Sequence, residues 1–182
     1  MRLPRLFGRD PSAEPANALY REVVRQSRLP VFYTQGGVPD SLDGRFELIV
    51  LHAYLIMRRL KRDGDAGRAL SQALFDMLFA DMDRSLREMG VGDLGVGRRV
   101  KAMARGFFGR VAAYDEGLAG DDEILAEALR RNVYGTISIP LDALKLMVRY
   151  TRRQDLQCQT CPGDSLLAGN IAFVPPSFTA PN

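Results

Sequence analysis

The chain has 182 residues, 46% hydrophobic and 26% charged, which supports one folded core and excludes a globally disordered protein. Its 25 Lys and Arg against 22 Asp and Glu leave a formal charge of +3, too mild to announce a nucleic-acid binder, so the placement of charge matters more than its sum. Only two cysteines occur, which argues against a disulfide-stapled secreted domain, and no apolar run approaches the roughly 20 residues that a membrane-spanning helix needs.

Residues 1–15 carry three prolines and read as a flexible basic tail. Met1–Arg9 has no signal-peptide apolar region and is short for an organellar transit peptide. A cytoplasmic protein, peripheral at the inner face of the cytoplasmic membrane, is the expectation. A first helix is predicted over residues 16–28, with Leu19, Val23, Gln26 and Leu29 along one side, and Pro30 stops it. Residues 31–43 hold Gly36, Gly37 and Pro39 and read as a loop. Asp40, Ser41 and Asp43 are all eligible N-caps for a second helix over 44–62. Phe46, Ile49, Val50, Ala53, Met57 and Leu60 give that helix one apolar face, and Leu48, Leu51 and Leu55 give it another. Only a narrow strip through Glu47, Tyr54, Arg58 and Lys61 stays polar, the pattern of a central helix.

A third helix over 68–89 turns Leu70, Leu74, Met77 and Leu78 inward, with Phe75, Phe79, Met82 and Leu86 on an adjoining face. Its polar positions are largely acidic. A glycine-rich connector, 90–97, leads to the clearest periodicity in the chain. Val96, Val100, Met103, Phe107, Val111, Tyr114 and Leu118 recur at steps of three and four. Arg98, Lys101 and Arg105 fall opposite, flanked by Arg99 and Arg110, and no acid occurs between Val96 and Tyr114. One side packs and the other is a cationic stripe. A fifth helix, 122–132, is capped by Asp121 and Asp122, with Ile124, Leu125, Ala128 and Leu129 inward. Ser138 and Pro140 start a sixth, with Leu141, Leu144, Met147 and Val148 facing the bundle. Residues 133–139 are ambiguous between strand and turn. The expectation is all-α: a single compact bundle of about six helices over 16–155, between the first tail and an irregular Cys- and Pro-containing tail at 156–182.

Each motif has a plain reading beside its chemical one. Gly90, Gly92 and Gly95 match the letters of a dinucleotide fingerprint, but that mechanism needs a strand before the turn, so they read as a linker. Cys158 and Cys161 have the spacing of half a zinc knuckle; a structural site needs four ligands, so a merely packed pair is the main reading and metal the weak alternative. Glu47 and His52 invite an acid–base reading, yet no nucleophile signature accompanies them, and a histidine hydrogen-bonded between helices explains His52. The stripe of Arg98, Arg99, Lys101, Arg105 and Arg110 is either a solvated face neutralised in part by the acidic third helix, or a docking surface for anionic lipid, ribosomal RNA or an acidic protein.

The run from Val38 to His52, with Asp40, Arg45, Phe46 and Glu47 inside it, resembles the ubiquinol–cytochrome c chaperone family. Leu19-Tyr20, Pro30 to Tyr33, Leu74 to Asp83, Arg87 to Gly90, Val100-Lys101, Phe107 to Tyr114 and Leu129 to Gly135 extend the likeness over about residues 16–150. The resemblance implies a helical, non-enzymatic assembly factor without a cofactor, in its bacterial form. It also implies that newly made cytochrome b is the client, with the ribosome and a small partner protein as further associates. Asp40, Arg45, Phe46, Glu47 and His52 become the expected partner-binding segment. Helices two to four are then expected to hold the client's apolar segments in grooves, while the basic stripe keeps the protein near anionic lipid or the ribosome. A general ribosome- or RNA-associated module with no cytochrome client is the alternative, and a small enzyme using Glu47 and His52 is a third.

Overall fold

In a computed structural model describing residues 11–135 and 137–178, the chain forms six main helices and two short ones, with no strand among the described residues. In chain order they are α1 (Ala13–Ser27), α2 (Val31–Thr34), α3 (Leu42–Leu60), α4 (Gly64–Glu88), α5 (Asp93–Ala119), α6 (Asp122–Leu129), α7 (Leu141–Thr160) and α8 (Gly163–Leu167). The expected all-α bundle is what forms.

Helix α3 occupies the centre because its sequence leaves it apolar over most of its circumference. Leu48, Val50, Leu51, Ala53, Leu55 and Ile56 are all completely buried. It packs against α1, α4 and α7, while α5 packs on α4 and carries α6, which leads back to α7. Ser41 is the N-cap of α3: its hydroxyl accepts the Gly44 amide at 3.1 Å, the partner that a first-turn N–H otherwise lacks. Asp121 caps α6 in the same way, accepting from the Glu123 and Ile124 amides, both at 3.0 Å.

Several boundaries differ from expectation. Ala13 to Pro15 already belong to α1, whereas residues 1–10 of the expected tail lie outside the described residues. The predicted loop at 31–43 contains α2, because Pro30 both follows the end of α1 and is preset to start the next turn, which buries Phe32 completely. After α6 the backbone continues as a π-helical turn, Arg130–Tyr134, that buries Val133 and Tyr134 and settles part of the ambiguous stretch. Ile124 and Leu141, expected inward, are 41% and 63% exposed.

The largest difference lies at the C-terminus. Instead of becoming irregular after residue 155, α7 runs on to Thr160 with Cys158 fully buried, and Leu166, Phe173 and Phe178 join the core. Helical periodicity fades there because the extended stretch after α8 is anchored by isolated apolar residues rather than by a repeating face.

Candidate functional site

The expected polar strip of α3 is interior at Glu47 and Tyr54 and reaches solvent only at its Arg58 and Lys61 end. Glu47 is only 6% exposed, and Arg110 of α5 grips its carboxylate through Nε, at 2.6 Å, and Nη2. The same guanidinium stands 5.8 Å above the Phe46 ring. Burial pushes the Glu47 carboxyl up, against the pull of Arg110, while the hydrogen bonds to Glu47 raise Arg110. Arg110 therefore leaves the expected docking stripe: at its position on the helix it turns toward α3 and closes an interior pair. Two turns further along α3, Tyr54 donates to Asp115 at 2.7 Å, and Arg58 and Lys61 bond the same carboxylate at 2.7 and 2.9 Å. Burial opposes that charge, but the bonds from Lys61, Tyr54 and Arg58 hold Asp115 below the ordinary carboxylate range.

His52 is completely buried. Its Nδ1 lies 2.7 Å from the Leu48 carbonyl, which can only accept, so Nδ1 carries the proton and Nε2 accepts from Tyr150 Oη at 2.6 Å. Ser27 Oγ sits 3.0 Å from Nδ1. Gln26 then donates to Tyr150 at 2.9 Å and to the Val174 carbonyl at 3.0 Å, which ties α1, α3, α7 and the C-terminal segment together. Burial lowers the imidazole to about 4, so the ring is neutral at physiological pH. An acid–base pair of His52 with Glu47 does not form, since each group is committed to other partners. Of the five residues expected to meet a partner, Phe46, Glu47 and His52 are interior. Asp40 and Arg45 reach the surface, paired with each other at 2.7 Å.

An open groove of about 390 Å³ lies between α3, α4 and α5. Met57, Phe75, Phe107, Phe108 and Val111 make its apolar lining, and Arg58, Lys61 and Arg68 stand at its margin. Phe75 anchors the aromatic floor, with ring centroids 5.3 Å from Phe107 and 5.9 Å from Phe108. Phe108 remains 65% exposed. Periodicity placed Phe107 and Val111 inward but gave no sign of this groove. The adjacent pair Phe107-Phe108 was the available signal, because two neighbouring side chains on a helix point about 100° apart and cannot share one buried face.

Arg98, Arg99, Lys101 and Arg105 are all exposed, and none of them forms an ion pair among the described residues. The acids of α4 do not neutralise them. Asp83 bonds Arg87, Asp81 bonds Tyr20 and Arg84, and Asp76 bonds Gln72, while Asp93 at the start of α5 is also taken by Arg87. Cys158 and Cys161 are free thiols; burial pushes Cys158 up to about 12, a packed group rather than a ready thiolate. Among the described residues no three His, Cys, Asp or Glu side chains are grouped to hold a metal. No described helix is long and apolar enough to cross a membrane.

Residues 34–173 match the family described as ubiquinol-cytochrome C chaperone, a span that runs past residue 150 into the C-terminal segment. The chain is 30% identical over 158 residues to ubiquinol-cytochrome-c reductase complex assembly factor 1 of Xenopus laevis, covering 86% of this chain and 79% of that one. It is 31% identical over 149 residues to the mitochondrial protein CBP3 of Saccharomyces cerevisiae, covering 80% of this chain but only 44% of the yeast protein. The crystal structure of a Cbp3 homolog from Brucella abortus superimposes with a TM-score of 0.80 at 36% identity, over 90% of this chain and 91% of that one.

Proposed function

Because the chain belongs to the ubiquinol–cytochrome c chaperone family, we propose that it is a non-enzymatic assembly chaperone that binds newly made cytochrome b during biogenesis of ubiquinol–cytochrome c reductase. The observation that carries this reading is the open groove of Met57, Phe75, Phe107, Phe108 and Val111. A membrane protein caught before it is fully packed exposes apolar side chains, and each Å² withdrawn from water is worth about 25 cal/mol. A groove of this size takes a few such side chains rather than a whole helix, so the hold is weak enough to be released. The basic margin suits carboxylates at the end of an apolar segment. Association with the ribosome and with a small partner protein belongs to the same proposal.

The test is genetic and chemical. Deleting the gene should lower cytochrome b and the reductase together, and Phe108→Glu, at an exposed position, should fail to restore them while the protein still accumulates. A photo-crosslinker placed at residue 108 should capture cytochrome b. Normal cytochrome b in a clean deletion strain, or crosslinks that never contain it, would overturn the reading.

A further inference from the structure

The outer face of α5 combines two features that nothing in the fold absorbs. Arg98, Lys101 and Arg105 lie within an arc of about 60° at 100° per residue, each exposed and without a carboxylate partner among the described residues. Inside the same arc, one turn before Arg98, Leu94 is 89% exposed. Asp93, which opens the helix, is held by Arg87, and the next acid on this face is Glu116, about three turns beyond Arg105. Leu94 lies bare beside three unpaired cations on one helix face, and the protein covers almost none of its apolar surface.

We propose that this face rests on an anionic lipid surface, with Arg98, Lys101 and Arg105 reaching the phosphate head groups and Leu94 entering the acyl boundary. Interfacial helices are built this way: cations draw the helix to negatively charged lipid, and apolar side chains then gain by leaving water. Nucleic acid offers the same phosphates but no apolar phase for Leu94. Single-strand binding relies on rows of aromatic side chains, whereas this face has only Phe108 at its edge. Phe108 also lines the groove, so the lipid-facing surface and the groove adjoin along α5. The proposal does not rest on the identity of the client, and its three cations and Leu94 lie outside the groove.

The experiment is flotation of the full chain with vesicles of phosphatidylcholine alone and of phosphatidylcholine mixed with phosphatidylglycerol, at low and high salt. The wild type should float only with the anionic vesicles and detach as salt rises. The triple variant Arg98→Glu, Lys101→Glu, Arg105→Glu should lose about ten-fold or more of this partitioning. Leu94→Ser, which leaves the charge intact, should lose about three-fold. A charge-matched control on α7, Lys145→Glu, Arg149→Glu, Arg153→Glu, should float as the wild type does. If the triple reversal disturbs the far-UV spectrum, the Gln triple at the same positions takes its place with the same expected loss. Absence of binding to anionic vesicles at low salt overturns the proposal, as does binding unaffected by the triple variant or equally weakened by the α7 control. Vesicle binding indifferent to Leu94→Ser overturns the interfacial placement. Capture of an RNA duplex through the same three cations, without vesicle binding, reassigns the face to nucleic acid.

Discussion

His52 shows how one residue can link the fold to pH. The unfolded chain takes up a proton near pH 6.5, while the buried ring resists it until about 4. Between those values the unfolded state binds more protons, so stability rises with pH and is lost as pH falls from 6.5 toward 4. For a completely buried group the full effect is about 3 kcal/mol. Glu47, raised by burial, works in the opposite direction, so the contribution is isolated by comparing urea unfolding of the wild type and His52→Gln across this window. The wild type should show the additional acid loss and the variant should not; parallel curves would contradict the neutral, buried assignment.

At the scale of the element, α5 and α6 meet where there is no room for a side chain. A Cβ on Gly117 would lie 2.8 Å from the Leu125 Cα, and backbone cannot move aside as a flexible side-chain tip can. Gly117→Ala therefore costs stability, about 1–3 kcal/mol by the usual penalty for overpacking, despite the better helix propensity of alanine. Thermal or urea unfolding measures it, and an unchanged or raised midpoint would show that the two helices can separate freely. The same crossing carries Arg152, which reaches the Gly120 carbonyl at 2.9 Å and Asp122 at 2.5 Å, so α7 is fastened to the turn between α5 and α6.

For the whole molecule, the C-terminal segment acts as a closing strap. Val174 is held at both ends of its peptide, its carbonyl accepting from Gln26 and its amide donating to Gln154 at 3.0 Å. Phe178 meets Phe32, and Phe173 meets His52, edge to face, with centroids 5.7 and 5.2 Å apart. Truncation after Ile171 removes both rings and leaves Gln26 and Gln154 short of partners. The expected loss is about 3–5 kcal/mol, or about 10 °C in the thermal midpoint for a chain of this size. A truncated protein melting with the full chain would show that the strap is an accessory.

The sequence alone determined the helical class, the central place of α3 and the inward face of α5, because those properties follow from the period of apolar residues along one segment. The family was legible in the run from Val38 to His52. Which polar groups are interior was decided only by the tertiary structure. Glu47 and Tyr54 look like surface residues on their own helix and become buried when α5 closes over α3, with Arg110 half-buried as the partner of Glu47. The groove and the strap escaped the sequence for the same reason: each is assembled from residues far apart in the chain, Met57 with Phe108, or Gln26 with Val174. A pattern along one helix records which side is oily, but the partner that covers it, or leaves it bare, comes from a different part of the chain.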